Sequence, residues 1–387
     1  MFKFNRCDLY VLMYALYILQ NVLYPQGIIN QLLQLLMLLM ALIESFNVFR
    51  TRVNSTILKT LLCLVIMYCI YGGWIILFGD NTNSYMYLQS SLKSILPIFM
   101  FCYYTKINFL NEKRIQIYSI VILLITIQSY YKIESTMQMQ TEDDEFTNNS
   151  AYGFVNLIPM LYFYRKKPII QYVLLGLLMT FILICMKRGA MLIGSVTMVL
   201  FLFSNFKGSS VKQKIIVAIL SIVIIIFSVS FIKDFIQGSD YFVNRIEKTL
   251  DGDSSGRDVI YGTLMDAFLN ETSITHFLFG QGANATVKIV GTFAHNDWLE
   301  TLINNGLIGG IILLLFFISF MRTVYKQRKR FPAYMYYAFV SLFIIMFFKT
   351  LFSMSIQSIG IANAMLLGYL IYWSTRSEIE IVAIGND

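Results

Sequence analysis

The chain has 387 residues, 57% of them hydrophobic and only 13% charged, with a mean hydropathy of +0.65. A soluble domain is roughly 45–50% apolar and about 25% charged, so an ordinary soluble enzyme is excluded and one polytopic membrane domain is expected. The formal net charge of +8 does not point to nucleic acid, because the basic residues lie in short clusters between apolar runs, as in cytoplasmic loops.

A spanning helix needs about 20 mainly apolar residues. That yardstick predicts an all-α fold with about twelve spans: Leu9–Tyr24, Gly27–Ile43, Thr56–Phe78, Leu88–Tyr104, Ile115–Tyr131, Ala151–Tyr164, Ile169–Met186, Gly189–Phe206, Lys214–Ile232, Gly306–Met321, Tyr334–Leu351 and Ile356–Trp373. Cytoplasmic termini place most Lys and Arg residues inside, including Arg50, Lys113, Arg165–Lys167 and Arg328–Arg330. Both termini are therefore expected in the cytoplasm. The first apolar run lacks a small-residue cleavage site, so no cleaved signal peptide is expected.

Five cysteines (Cys7, Cys63, Cys69, Cys102, Cys185) form no C-x-x-C pair, and H-E-x-x-H is absent, so neither a disulfide framework nor a zinc site is supported. No cofactor is expected. Inside the spans Lys93 is the clear charged residue.

Two outward loops follow from the topology. Glu134–Ser150 carries the acidic run Glu142–Glu145, most simply a solvated loop. The second, Lys233–Asn305, is long enough for structure of its own. Asn244–Leu250 is expected as a short amphipathic helix. Ser255-Gly-Arg-Asp258 matches a capping box that opens a helix through about Phe268. His276–Gly282 reads as a glycine-punctuated turn, with His276 partly buried. Asp297-Trp-Leu-Glu300 is a second capping-box match, which puts His295 just before a helix that should break near Asn304-Asn-Gly306.

Four residues could carry chemistry. Lys187 and Arg188 interrupt two apolar runs at a tight turn, where a charged group either snorkels or lines a watery cavity. The snorkel suits Lys187, and function suits Arg188. Arg257 falls in the first turn of a helix, where a cation opposes the dipole but a fork of donors can hold an anion. An ion pair with Asp253 or Asp258 is the structural alternative. His295 can accept a proton near neutral pH, or it can simply pack or cap.

The Lys187-Arg-Gly-Ala190 turn resembles the arginine turn of the O-antigen polymerase and O-antigen ligase family. Ser255-Gly-Arg257 with Phe279-Gly-Gln-Gly282 resembles the start of that family's large external loop. Ala294-His-Asn-Asp-Trp-Leu-Glu300 with Asn305-Gly-Leu-Ile-Gly309 is similar to its histidine motif and following helix. Tyr261 departs from the pattern, since relatives often place tryptophan there, and the first five spans match no motif. The resemblance implies metal-independent, inverting glycosyl transfer at the outer face of the bacterial inner membrane. Its donor and acceptor would be undecaprenyl-pyrophosphate-linked sugars, with Arg188 and Arg257 on the diphosphate and His295 as base. Asn296, Asp297 and Lys187 would support them. A flippase and a chain-length regulator of the same pathway are expected partners. Polymerase is preferred over ligase because the chain is compact and its external loop modest; a non-enzymatic flippase is the rival class.

Overall fold

The computed structural model describes residues 3–23, 27–51, 53–78, 82–138, 148–207, 256–356, 358–377 and 380. The ninth expected span, the Asn244–Leu250 helix and the Glu142–Glu145 run lie outside these residues. Fourteen α-helices are described: α1 Arg6–Leu23, α2 Ile28–Arg50, α3 Thr56–Phe78, α4 Thr82–Lys106, α5 Glu112–Gln138, α6 Ala151–Val155, α7 Pro168–Ile184, α8 Arg188–Lys207, α9 Arg257–Leu269, α10 Ile274–Phe279, α11 Ala285–Val290, α12 Asp297–Gln327, α13 Ala333–Phe352 and α14 Ile361–Ser374. A 3-10 helix, Ile158–Tyr164, follows α6, and no strand occurs among the described residues. The molecule is an all-α polytopic membrane protein. Five helices (α2, α5, α8, α12 and α13) are long and apolar enough to cross a bilayer, and α3, α7 and α14 contain shorter apolar stretches.

The membrane character is written on the helix surfaces. On α2, Ile28, Leu32, Leu36, Leu39, Ile43 and Phe46 are all exposed. A soluble protein would not tolerate such an apolar face, whereas lipid matches it. The interior is set by close approach: α14 packs on α4 at Gly368, where a Cβ would lie 2.6 Å from the Ile98 carbonyl oxygen. Small residues allow helices this contact in membranes, where dispersion and backbone proximity replace the hydrophobic drive. Pro97 sits at the same level of α4. It leaves a backbone acceptor without its helical donor, a cost that packing inside the protein absorbs.

The sixth expected span is not one helix. Residues 151–164 divide into α6 and the 3-10 helix around Asn156, whose side chain accepts a hydrogen bond from Asn363 (2.9 Å) in the buried interior. The twelfth begins at Ile361 rather than Ile356, because Ser355 and Ile356 belong to a loop tied to α12. At one end of the bundle, ion pairs Arg6–Glu44, Arg114–Asp8 and Arg165–Glu112 hold α1, α2, α5 and the turn before α7 together. The other end, where α7 turns into α8 and α12 begins, carries the candidate site.

Candidate active site

The α7–α8 turn is tight: Met186 takes a left-handed conformation (φ 51°), Asn148 N–H donates to the Cys185 carbonyl (2.9 Å), and Met191 N–H donates to that of Lys187 (2.9 Å). Arg188 is therefore the first residue of α8 rather than part of the turn. Gly189 follows it, and a Cβ there would meet the Tyr152 hydroxyl at 2.7 Å and Phe352 at 2.9 Å. The turn is thus pressed against two side chains of the interior, which fixes where Lys187 and Arg188 emerge.

The segment from α9 to Ala294 folds onto the first half of α12. Leu264 of α9, Ala285 of α11, Ala294, Leu299 and Ile303 form a small apolar core of its own, with Tyr261 packed against it. Two glycine motifs meet here. Gly306 interrupts α12 (φ 66°, ψ −168°), so carbonyls just before it lose their helical donors. Gln281 and Gly282 N–H groups replace them, donating to Ile303 (2.9 Å) and Asn304 (3.1 Å) carbonyls. The backbones approach so closely that a Cβ on Gly280 would lie 2.4 Å from Asn304, and one on Gly306 2.4 Å from Gly280. The break near Asn304–Gly306 is as expected from the sequence. The expected turn at His276–Gly282 is instead α10, capped by the Ser273 hydroxyl and ending at Gly280. His276 is exposed there, 3.6 Å from the Glu271 carboxylate, and plays no part in the site.

Residues 294–300 form a knot in which almost every polar group has a structural partner. The N-cap of α12 is Asn296, whose side chain accepts from Trp298 and Leu299 N–H groups, not Asp297 as the capping-box pattern suggested. Asp297 is buried and reaches the α13–α14 loop, accepting from Ser355 N–H (2.6 Å) and Ile356 N–H (2.9 Å). Trp298 donates to the Thr350 hydroxyl of α13 (3.0 Å). Glu300, also buried, accepts from Ala294 N–H (2.6 Å), the Thr286 hydroxyl (2.7 Å) and Asn304 (3.2 Å). The other pattern is also displaced: α9 starts at Arg257 after Gly256 in a left-handed conformation (φ 74°), without a side-chain cap.

His295 alone is left over. Its backbone is left-handed (φ 52°), a conformation uncommon outside glycine that persists only where its surroundings over-determine it. The Ala294 bond to Glu300 on one side and the Asn296 cap on the other supply that constraint. Among the described residues its imidazole makes no hydrogen bond. It opens on a cavity of about 850 Å³, lined also by Lys349, Tyr152, Asn156, Asn284 and Ser358. Although the ring keeps exposed surface toward this space, the crowded wall withholds solvation and lowers its pKa from 6.5, with Arg257 and then Lys187 adding repulsion. All three effects favour the unprotonated, proton-accepting form.

Arg257 is in electrostatic range of both His295 and Tyr152, and Lys187 of His295. Neither they nor Arg188 line the cavity, although Gly189, the neighbour of Arg188, presses on Tyr152 of its wall. Lys349, on α13 and 6% exposed, was not anticipated. It donates to the Ser358 carbonyl and hydroxyl (3.3 Å each) and stands 5.3 Å over the Tyr152 ring. A lysine within a span was itself the signal, since such groups face cavities. Among the described residues no group of three or more His, Cys, Asp or Glu is placed to hold a metal ion.

The structure thus defines a membrane protein of lipid-facing helices with a histidine, in electrostatic range of Arg257 and Lys187, on a cavity of mixed polar and apolar lining. Residues 172–314 match the family model described as O-antigen ligase, so the O-antigen polymerase and ligase resemblance is borne out across this part of the chain. The match spans the α7–α8 turn, α9 and the His295 knot. No curated protein matches the chain.

Proposed function

We propose that the chain is a polysaccharide polymerase: it joins undecaprenyl-pyrophosphate-linked oligosaccharide repeats by inverting glycosyl transfer at the outer face of the bacterial inner membrane. The observation that carries this reading is His295. It is an imidazole whose unprotonated form is favoured, without a hydrogen bond among the described residues, held in a left-handed backbone and facing a cavity whose lining includes amide and hydroxyl groups. Such a base takes the proton from an acceptor sugar hydroxyl as that oxygen attacks the anomeric carbon. The bond to the diphosphate breaks as the new one forms, and the configuration inverts in a single displacement. Charge grows on the leaving diphosphate, and Arg188 and Arg257 answer it with guanidinium forks. No metal is required in this scheme. Asn296 and Asp297 hold the knot that aims the imidazole, and Lys187 adds positive potential.

The basic clusters at the opposite helix ends support cytoplasmic termini and an outward site. The lipid tail would lie among the apolar helices, and flippase and chain-length regulator of the same pathway are the natural partners. A second reading, ligation of the finished chain to the lipid A core, has the family description in its favour. It uses the same donor and the same base, and differs only in acceptor.

Cells lacking the native gene and expressing His295→Ala separate these readings on a gel of surface polysaccharide. Polymerase predicts collapse of the ladder to single capped repeats. Loss of attached polysaccharide with accumulation of full-length lipid-linked chains would move the assignment to ligase. A normal ladder would remove His295 from the chemistry, and lipid-linked repeats trapped on the inner face would favour a flippase.

A further inference from the structure

A second cavity, of about 240 Å³, lies between α1, α2, α4 and the loop before α14, lined by Tyr10, Tyr14, Tyr17, Gln34, Lys93 and Ser94 among others. It adjoins the first: Tyr14, Ser90, Ser358 and Gly360 line both. Each cavity contains a lysine. Lys93 donates to the Gln34 side-chain oxygen (2.9 Å) and stands 5.3 Å from the Tyr17 ring; Lys349 donates to Ser358 at the shared wall. Neither lysine has a carboxylate within ion-pair distance among the described residues, and no Asp or Glu lines either cavity. Asp297 acts on Lys349 through space without an ion-pair contact, its Oδ2 accepting from two backbone N–H groups, so Lys93 is the lysine with no carboxylate acting on it among the described residues.

An ammonium at membrane depth is costly and calls for compensation by an anion. Here two such groups look into one continuous tract. The rest of that tract mixes aliphatic side chains such as Met37, Leu38, Ile359 and Ile361 with tyrosine rings, hydroxyls and amides, and the latter can receive the faces and edges of a sugar ring. The smaller chamber falls below the roughly 300–1,000 Å³ of drug-sized sites, so it takes a single ring.

We infer that this tract is a saccharide subsite, running from His295 toward Lys93, and that Lys93 and Lys349 select a sugar bearing a carboxylate. The inference rests on the transferase reading, since the sugar belongs to the lipid-linked substrate. The arginines answer the diphosphate; the lysines answer a charge further along the glycan. It also accounts for the cavity reaching α1, α2 and α4, helices that contain no recognisable motif.

The test is binding, independent of turnover. Saturation-transfer NMR on the full chain in nanodiscs would compare D-glucuronate, D-galacturonate and N-acetylneuraminate with glucose, galactose and N-acetylglucosamine. At least one acidic sugar is expected to give a signal about tenfold above its neutral counterpart. Lys93→Gln or Lys349→Gln should abolish that preference, Lys93→Arg should retain it, and His276→Ala, outside the site, should leave it unchanged. Monodispersity and melting temperature identify any variant that fails to fold, in which case Lys93→Arg against Tyr17→Leu carries the comparison. Equal signals for acidic and neutral sugars, or no signal from any acid, overturn the inference. So does methylene diphosphonate binding that depends on Lys93 while no acid sugar binds, which would place the diphosphate here. Failure of the transferase reading appears separately, as a normal ladder from His295→Ala.

Discussion

At the scale of single residues, what distinguishes the site is which polar groups have a structural task. Asn296, Asp297, Trp298 and Glu300 each bind a neighbour, and the His295 imidazole between them and Ala294 has no hydrogen-bond partner among the described residues. Its lowered pKa sets a pH signature. The acidic limb of the rate profile is expected below 6.5, and Lys187→Gln, which removes a repelling cation, should move that limb to higher pH. The folded state also binds fewer protons at His295 than the unfolded chain. Its contribution to stability is complete above about 6.5 and is lost as pH falls below that. A rate profile of the purified protein at closely spaced pH values checks the first point. An unmoved limb in Lys187→Gln would detach the titration from His295. The identity of this residue was legible in the sequence from its type and its place before a helix. The buried hub Glu300 and the cavity lysine Lys349 were not, because their meaning depends on contacts with residues brought in by folding.

At the scale of elements, the α12 break and the Gly280–Gly282 strap are one device, although in sequence they read as two separate motifs. The glycines are required by space as well as by positive φ, so Gly306→Ala should lose more than the usual cost of about 1 kcal/mol for a strained glycine replacement. A sharp fall in melting temperature in detergent, with loss of the strap, is the expected result; an unchanged melting curve would show that the backbones can separate freely. Glu300→Ala leaves three buried donors without an acceptor, which should cost roughly 3 kcal/mol or more and release the His295 turn. Glu300→Gln, which keeps an acceptor oxygen, should lose less in the same measurement. The sequence placed both helix starts within a residue, yet named the wrong cap at α12. Asn296 and Asp297 are both good capping residues, and only the α13–α14 loop decides which one is drawn away.

At the scale of the whole molecule, apolar runs located the helices well because lipid imposes their length. They failed at Ala151–Tyr164, where a buried Asn156–Asn363 contact interrupts an apolar stretch that hydropathy alone cannot subdivide. The cavity also draws on distant parts of the chain: α5, α6, α11, His295, α13 and the loop after it wall it, with Arg257 and Lys187 in electrostatic range of His295. An external orientation predicts that Gly291→Cys, in a chain without its five native cysteines, reacts with a membrane-impermeant maleimide in intact spheroplasts. Labelling only after lysis would reverse the topology. The claim on which the rest depends is that His295 accepts the acceptor-hydroxyl proton. Purified protein in nanodiscs, given its lipid-linked repeat unit, measures this as the rate of linkage formation. His295→Ala should fall by roughly 10²–10⁴ with donor binding retained; a rate within a factor of about three of the native protein would contradict it.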